Sequence, residues 1–157
     1  MESKNKNREM FYDKLIESSK EKTIECIREW KFYKRIKNET YCICGHDILY
    51  NYYIKNIINE NKLIVGSTCI KQFMKNNENL IESINKIKTM ETYIKNHEEN
   101  KLDVGKYKNE YFKDVYNDIN KKGYLEFISN NIMKNKTMKQ FQKYINYKTE
   151  LNKIDIE

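Results

Sequence analysis

Apolar positions recur at helical spacing through residues 7–30, at Phe11, Leu15, Ile16, Ile24, Ile27 and Trp30. They predict one helix broken near Ser18-Ser19, or two. The period then changes. Across residues 30–37 an alternating pattern predicts a strand with Trp30, Phe32 and Ile36 inward and Lys31, Tyr33, Arg35 and Lys37 outward. Residues 52–58 and 63–65 are rich in β-branched and aromatic side chains and flank the polar Asn59-Glu60-Asn61-Lys62, as the arms of a hairpin would. Ser67 is a good N-cap for a short helix carrying Cys69 in its first turn and running through Ile70, Gln72 and Phe73.

Beyond Lys75 the pattern is helical again. Asn79-Leu80-Ile81-Glu82 reads as a capped start, and Leu80, Ile84, Ile87, Met90 and Ile94 trace one apolar stripe that ends near His97. Residues 99–106 read as a linker with Gly105 as its turn, followed by a helix over residues 109–120 that Gly123 stops. A short face of Tyr124, Leu125, Ile128 and Ile132 precedes Thr137-Met138-Lys139-Gln140, a capping box opening a last helix with Phe141, Tyr144, Ile145 and Leu151. The stripes are expected to form core, since a chain of 157 residues needs them all. The fold expected is α+β: a small treble-clef-like, zinc-bound β-hairpin core flanked by N- and C-terminal helices. A helical segment over residues 1–30, a zinc-binding hairpin module over 31–75 and a helical region over 76–157 are expected to make one compact domain.

The candidate chemistry lies where the strands meet. Cys42-Ile43-Cys44-Gly45-His46 is answered by Gly66-Ser67-Thr68-Cys69. Structural zinc takes four N/S ligands at about 2.0–2.3 Å, so the ligand atoms must gather tightly. Same-side residues of an extended strand stand about 6.6 Å apart, so the chain must curl at i, i+2 and i+4, and Gly45 can adopt the positive φ that lets it. A helix N-terminus favours the thiolate of Cys69. The ligand set expected is Cys42, Cys44, His46 and Cys69 around structural Zn2+. Cys26, on the apolar side of its helix one turn before Trp30, is either a small buried hydrophobe or the fourth ligand in place of His46. His97, among Asn96, Glu98 and Glu99, is expected at the surface and not on a metal.

Composition changes the picture less than the motif. There is no proline and no alanine, while Lys, Asn, Ile and Tyr dominate, which is the mark of an AT-rich coding sequence; the formal charge of +7 is discounted accordingly as a sign of a nucleic-acid partner. No run of 18 apolar residues and no signal-peptide pattern occurs, so the expectation is an intracellular protein, neither secreted nor membrane-spanning. In a reducing compartment clustered cysteines read as metal ligands.

A tryptophan just ahead of a strand, Cys42-Ile43-Cys44-Gly45-His46, the hairpin residues Ile54-Lys55-Asn56, and the run from Val65 through Gly66-Ser67-Thr68-Cys69 to Phe73 together resemble a loosely defined family of small zinc-binding proteins from bacteriophages, giant DNA viruses and some bacteria. The likeness spans residues 30–73. It implies a zinc module set beside helical segments. Relatives often carry a further cysteine in the first hairpin strand, where this chain has Tyr52, which favours His46 as the fourth ligand.

Three function classes follow. Lys31, Tyr33, Arg35 and Lys37 on one strand face have the composition of a single-stranded nucleic-acid platform, with cations on phosphates and a tyrosine stacking on a base. The same residues suit the solvated face of an edge strand, and then the module would serve as a protein-interaction adaptor. A zinc enzyme is the remote third class: the chain has no Gly-rich phosphate loop, no nucleophile elbow and no His-Glu-x-x-His, and Asp47 stands on the wrong side of the motif for a deaminase-like centre. The reading is non-enzymatic.

Overall fold

The structure is a computed structural model that describes residues 2–73 and 75–156. Those residues form an α+β fold, with six α-helices and one three-stranded antiparallel sheet of order β1-β2-β3. The order along the chain is α1 (Glu2–Glu17), β1 (Trp30–Tyr41), β2 (Asp47–Asn56), β3 (Lys62–Val65), α2 (Ser67–Phe73), α3 (Glu78–His97), α4 (Phe112–Asn117), α5 (Lys122–Asn130) and α6 (Lys136–Ile156). No helix among the described residues is long and apolar enough to cross a membrane. The chain packs as two compact units, Met1–Lys86 with Ile154–Glu157, and Ile87–Lys153, so the packing divides inside α3 and not at residue 75.

In the first unit, α1 ends at Glu17, where the break was expected, and buries Phe11 and Leu15. The expected second helical stretch is a 3-10 helix, Ile24–Glu29, capped by Thr23 and leaving Ile24 exposed. Trp30 is fully buried and its Nε1 donates to Ser19 Oγ at 2.8 Å, while Ser19 Oγ donates to Leu15 O at 2.6 Å. Glu29 is buried as an ion, accepting from the backbone N–H of Lys20 and Glu21 and from Asn56 Nδ2 at 2.6–2.9 Å. Burial opposes its charge, but the Asn56 amide and the two backbone donors outweigh it and hold the carboxyl below its ordinary range.

β1 runs on to Tyr41 and forms a hairpin with β2 across the Cys42–His46 loop, a pairing that the sequence pattern did not announce. The expected hairpin is present as β2 and β3, with Tyr52 opposite Val65 and Lys55 opposite Lys62. Its first arm stops at Asn56, whose side chain turns the backbone by accepting from Ile58 and Asn59 N–H, so Ile57 and Ile58 are exposed in the turn. The strand alternation of β1 fails at a bulge: Phe32 pairs with Ile54 and Lys34 with Tyr53, leaving Tyr33 as the extra residue. Past it the faces exchange. Arg35, expected outward, is 3 % exposed and forms a two-pronged ion pair with Asp155, Nε to Oδ1 at 2.8 Å and Nη2 to Oδ2 at 3.0 Å.

Three helices start earlier than expected. α2 begins at Ser67, with Gly66 O accepting from Ile70 N, so Gly66 and not Ser67 precedes the helix. Asn77, not Asn79, caps α3: its Oδ1 accepts from Leu80 N, and its buried Nδ2 donates to the carbonyls of Ile27 and Trp30. Asn135, not Thr137, caps α6 through Met138 N at 3.0 Å, and Thr137 bonds Asp103 instead.

The second unit is helical. All of the expected apolar positions of α3 and α6 are buried, α3 contributing Ile87, Met90 and Ile94, and α6 contributing Phe141, Tyr144, Ile145 and Leu151. Phe112 stacks obliquely on Phe141 at 4.8 Å. Residues 99–106 are not a free linker: Lys101 bridges to Tyr111, Leu102 is buried, and Gly105 turns the chain with φ +87°. Gly123 lies within α5 and stops nothing; α4 ends at Asn117 and a 3-10 turn, Ile119–Lys121, joins the two helices. Ile132 falls beyond α5 and is 92 % exposed, so it is not part of that helix's apolar face.

Candidate metal centre and basic sheet face

The Cys42–His46 loop closes as a tight knuckle. Gly45 N donates to Cys42 O and Cys42 N to His46 O, both at 2.8 Å, with Gly45 at φ +89°. A side chain at that φ would be strained, so glycine is the residue that the curl demands. Ile43 N donates to Ile64 O at 3.1 Å, pinning the knuckle to β3, and α2 then brings Cys69 up from the far side. The sulfurs of Cys42, Cys44 and Cys69 lie within 4.8 Å of one another and could hold a metal ion. This is the only such group of His, Cys, Asp or Glu among the described residues.

His46 stands at the rim of the group. Its Nδ1 is 3.2 Å from Cys44 Sγ, and the amide of Asn7, from α1, lies 3.1 Å from its Nε2. Sequence pattern could not have found Asn7, which is remote along the chain; its place one turn before Met10, which lies against Gly45, puts it over the knuckle. Cys26 lies elsewhere: it is wholly buried, its thiol bonded to Ser19 and pushed up by burial, so it behaves as the small buried hydrophobe. His97 is half-buried, stacked on Tyr93 at 3.9 Å with Nδ1 on Tyr93 O at 2.8 Å.

Without a cation the three thiols divide one negative charge unevenly. The hydrogen bond from Cys69, helped by the backbone N–H groups of Cys44 and Gly66, draws Cys42 down to about 5 against the effect of burial. Cys69 is pushed up, first by facing Cys42 and then by burial, and Cys44 is pushed up by burial. A bound cation removes that conflict by displacing the remaining protons. The sulfurs open on a cleft lined also by Lys4, Asn7, Asp47, Ser67 and Thr68.

The four residues expected on a nucleic-acid face separate. Cross-strand partners share a sheet face, so Lys31, opposite Lys55, which is in turn opposite Lys62, makes a row of three lysines across all three strands. Lys34 and Tyr53 pair in the next row, and Tyr33, bulged and 45 % exposed, lies under Lys62 Nζ at 4.6 Å and Lys34 Nζ at 5.6 Å. Arg35 and Lys37 belong to the opposite face, set over Tyr50 at 5.0 and 5.7 Å. The sequence reading did not place Lys34, Lys55, Lys62 and Tyr53 on the face that carries Lys31. The signal was there for Lys55 and Lys62, which flank the β2–β3 turn symmetrically.

Comparison with family models, with curated proteins and with solved structures gives no match.

Proposed function

We propose that this chain is a non-enzymatic, zinc-stabilised accessory protein that binds single-stranded nucleic acid on the outer face of its sheet. Zn2+ would sit on Cys42, Cys44, Cys69 and His46, making the knuckle, the β2–β3 hairpin and α2 a treble-clef-like module of the kind the phage and giant-virus proteins suggest. The donor set supports zinc: three soft thiolates and an imidazole suit it better than they suit a hard cation.

The observation that carries the nucleic-acid reading is the lysine row. Like charges directly opposite one another on neighbouring strands are destabilising. Here Lys31, Lys55 and Lys62 stand abreast, and the single carboxylate of Glu60, itself 79 % exposed, pairs with Lys55 at 3.0 Å and is drawn more weakly by Lys62. An exposed pair of that kind is screened by water and contributes little. A phosphate backbone relieves the repulsion of the row, and Tyr33 and Tyr53 supply faces on which bases stack without sequence preference. A second reading, a protein-interaction adaptor, is favoured by Phe127 and Ile132, exposed by 57 % and 92 % on the second unit.

Binding of labelled single-stranded oligonucleotides across a salt series tests the proposal. Each phosphate contact contributes about 0.7 to the slope of log K against log salt, so a Lys31→Gln, Lys55→Gln, Lys62→Gln variant should lose about 2 from the slope. Tyr33→Ala should weaken binding by roughly tenfold, the lower end of the worth of one stacked base. No binding at about 50 mM salt, where the ionic contribution is strong, puts the adaptor first.

A further inference from the structure

The second unit carries a basic surface of its own, made by a different part of the chain. Between Glu126 and Glu150 there is no carboxylate, while Lys134, Lys136, Lys139, Lys143 and Lys148 fall in that stretch. Lys136, Lys139, Lys143 and Tyr147 follow one another at i, i+3, i+7 and i+11 and so share one face of α6. The three lysines are exposed, and no ion pair reaches any of them among the described residues. The opposite face of α6 is spent on the core through Met138, Phe141, Tyr144, Ile145 and Leu151.

Aromatic rings are built into this face. Tyr147 meets Tyr93 of α3 edge to face at 5.4 Å, and Lys143 Nζ is held over both rings, at 5.3 and 4.6 Å. Tyr93 is fixed from both sides, its hydroxyl donating to Gln140 O at 3.3 Å and its ring stacked on His97. The lysines of the ladder span about 10 Å along the axis at the helical rise of about 1.5 Å per residue. Unpaired cations in line beside a rigid aromatic pair fit a polyphosphate backbone with bases alongside. They do not fit insertion into a lipid surface, because the apolar side of α6 is already buried.

We propose that Lys136, Lys139 and Lys143, with the Tyr93–Tyr147 pair, form a second nucleic-acid-binding face, independent of the sheet. It accounts for the excess of lysine over acid in this stretch, which the sheet face does not use.

The full-length protein serves for the test, with the melting curve of each variant confirming that it folds. Lys→Gln at residues 136, 139 and 143 replaces one helix former with another and should lower affinity for a labelled single-stranded oligonucleotide roughly tenfold, with about 2 lost from the salt slope. The variant lacking the sheet lysines should still bind, and on adding oligonucleotide its amide resonances at Lys139, Lys143 and Tyr147 should shift. If the α6 variant binds with unchanged affinity and slope, the second face is wrong while the sheet reading stands. If instead the α6 variant loses all binding and the sheet variant none, the sheet reading falls and this one remains. Binding to vesicles of anionic phospholipid but not to oligonucleotide overturns the nucleic-acid assignment of this face.

Discussion

At the scale of single residues, the candidate metal centre is held by a few atoms that do unlike jobs. Cys42 accepts from Gly66 N at 3.4 Å, and a Cβ on Gly66 would come within 3.0 Å of Ile48 Cγ2, which would have to give by a few tenths of an ångström. Asn7 would act on the centre through His46: its amide nitrogen lies 3.1 Å from Nε2, and if Nδ1 were to face a metal, Nε2 would carry the proton and the amide would have to turn over to present its oxygen. Cys69→Ser should therefore abolish stoichiometric zinc, Cys26→Ser should keep it, and Asn7→Ala should weaken it by about 10- to 100-fold in a chelator competition, with Asn7→Asp restoring most of the loss. Retention of full affinity by Asn7→Ala would remove Asn7 from the site. Glu29 is a separate case, buried and held ionised by Asn56 and two backbone donors. A carboxylate whose folded pKa lies below its unfolded value stabilises the native state at pH above the ordinary 4.5, and that contribution is lost as pH falls through the folded pKa. Glu29→Gln should lower stability at neutral pH and flatten the acid limb of the stability curve, measured by urea midpoints between pH 3 and pH 7.

Among the elements, helix interiors were legible and their ends were not. The stripe from Leu80 to Ile94 and the one from Phe141 to Leu151 are buried as periodicity foretells, because a 3.6-residue repeat has one solution when its face meets a core. The caps were misplaced by two residues at α3 and α6, in a chain so rich in asparagine that Asn77 and Asn135 carry no local distinction. What chose Asn77 is tertiary: its amide is needed by the carbonyls of Ile27 and Trp30. The face of β1 was legible as far as Tyr33, which is exposed as expected, and wrong after it, since the bulge at Tyr33 inverts all that follows, and nothing in the alternation of Trp30 to Lys37 marks it. The knuckle was the opposite case: the Cys-x-Cys-Gly spacing fixed both the curl and the left-handed glycine, while the partner at Asn7 came from packing alone. Gly123 tests the α4–α5 junction. It lies in the first turn of α5 with nothing within 4 Å of the place a Cβ would take, so it bears the entropic cost of glycine without any use of its freedom. Gly123→Ala should raise stability by about 0.5–1 kcal/mol, read from chemical denaturation; a loss of stability would mean that the backbone there needs glycine.

For the whole molecule, the division into two units decides how a bound metal would matter. The first unit has a three-stranded sheet whose β1–β2 loop and β3–α2 junction both end on the cysteine cluster, so several of its elements meet at one point. Structural zinc in small modules supplies roughly 10 kcal/mol of folding free energy at neutral pH, comparable with the whole stability of a domain of this size. The second unit, Ile87–Lys153, has its own core of Phe112, Val115, Phe141 and Tyr144 and no cysteine. Removal of metal by a strong chelator should therefore strip protection from β1, β2 and β3 amides in hydrogen exchange while those of α6 at Phe141 and Tyr144 keep most of theirs. In circular dichroism the same treatment should turn one melting transition into two, the earlier belonging to the sheet. Because thiols must be deprotonated to bind metal, the chelator concentration needed should fall as pH is lowered from 8 to 6. A melting curve indifferent to chelator at both pH values would show that the cysteines pack without a metal, and that the sheet folds on the strength of Trp30, Ile54 and Leu80 alone.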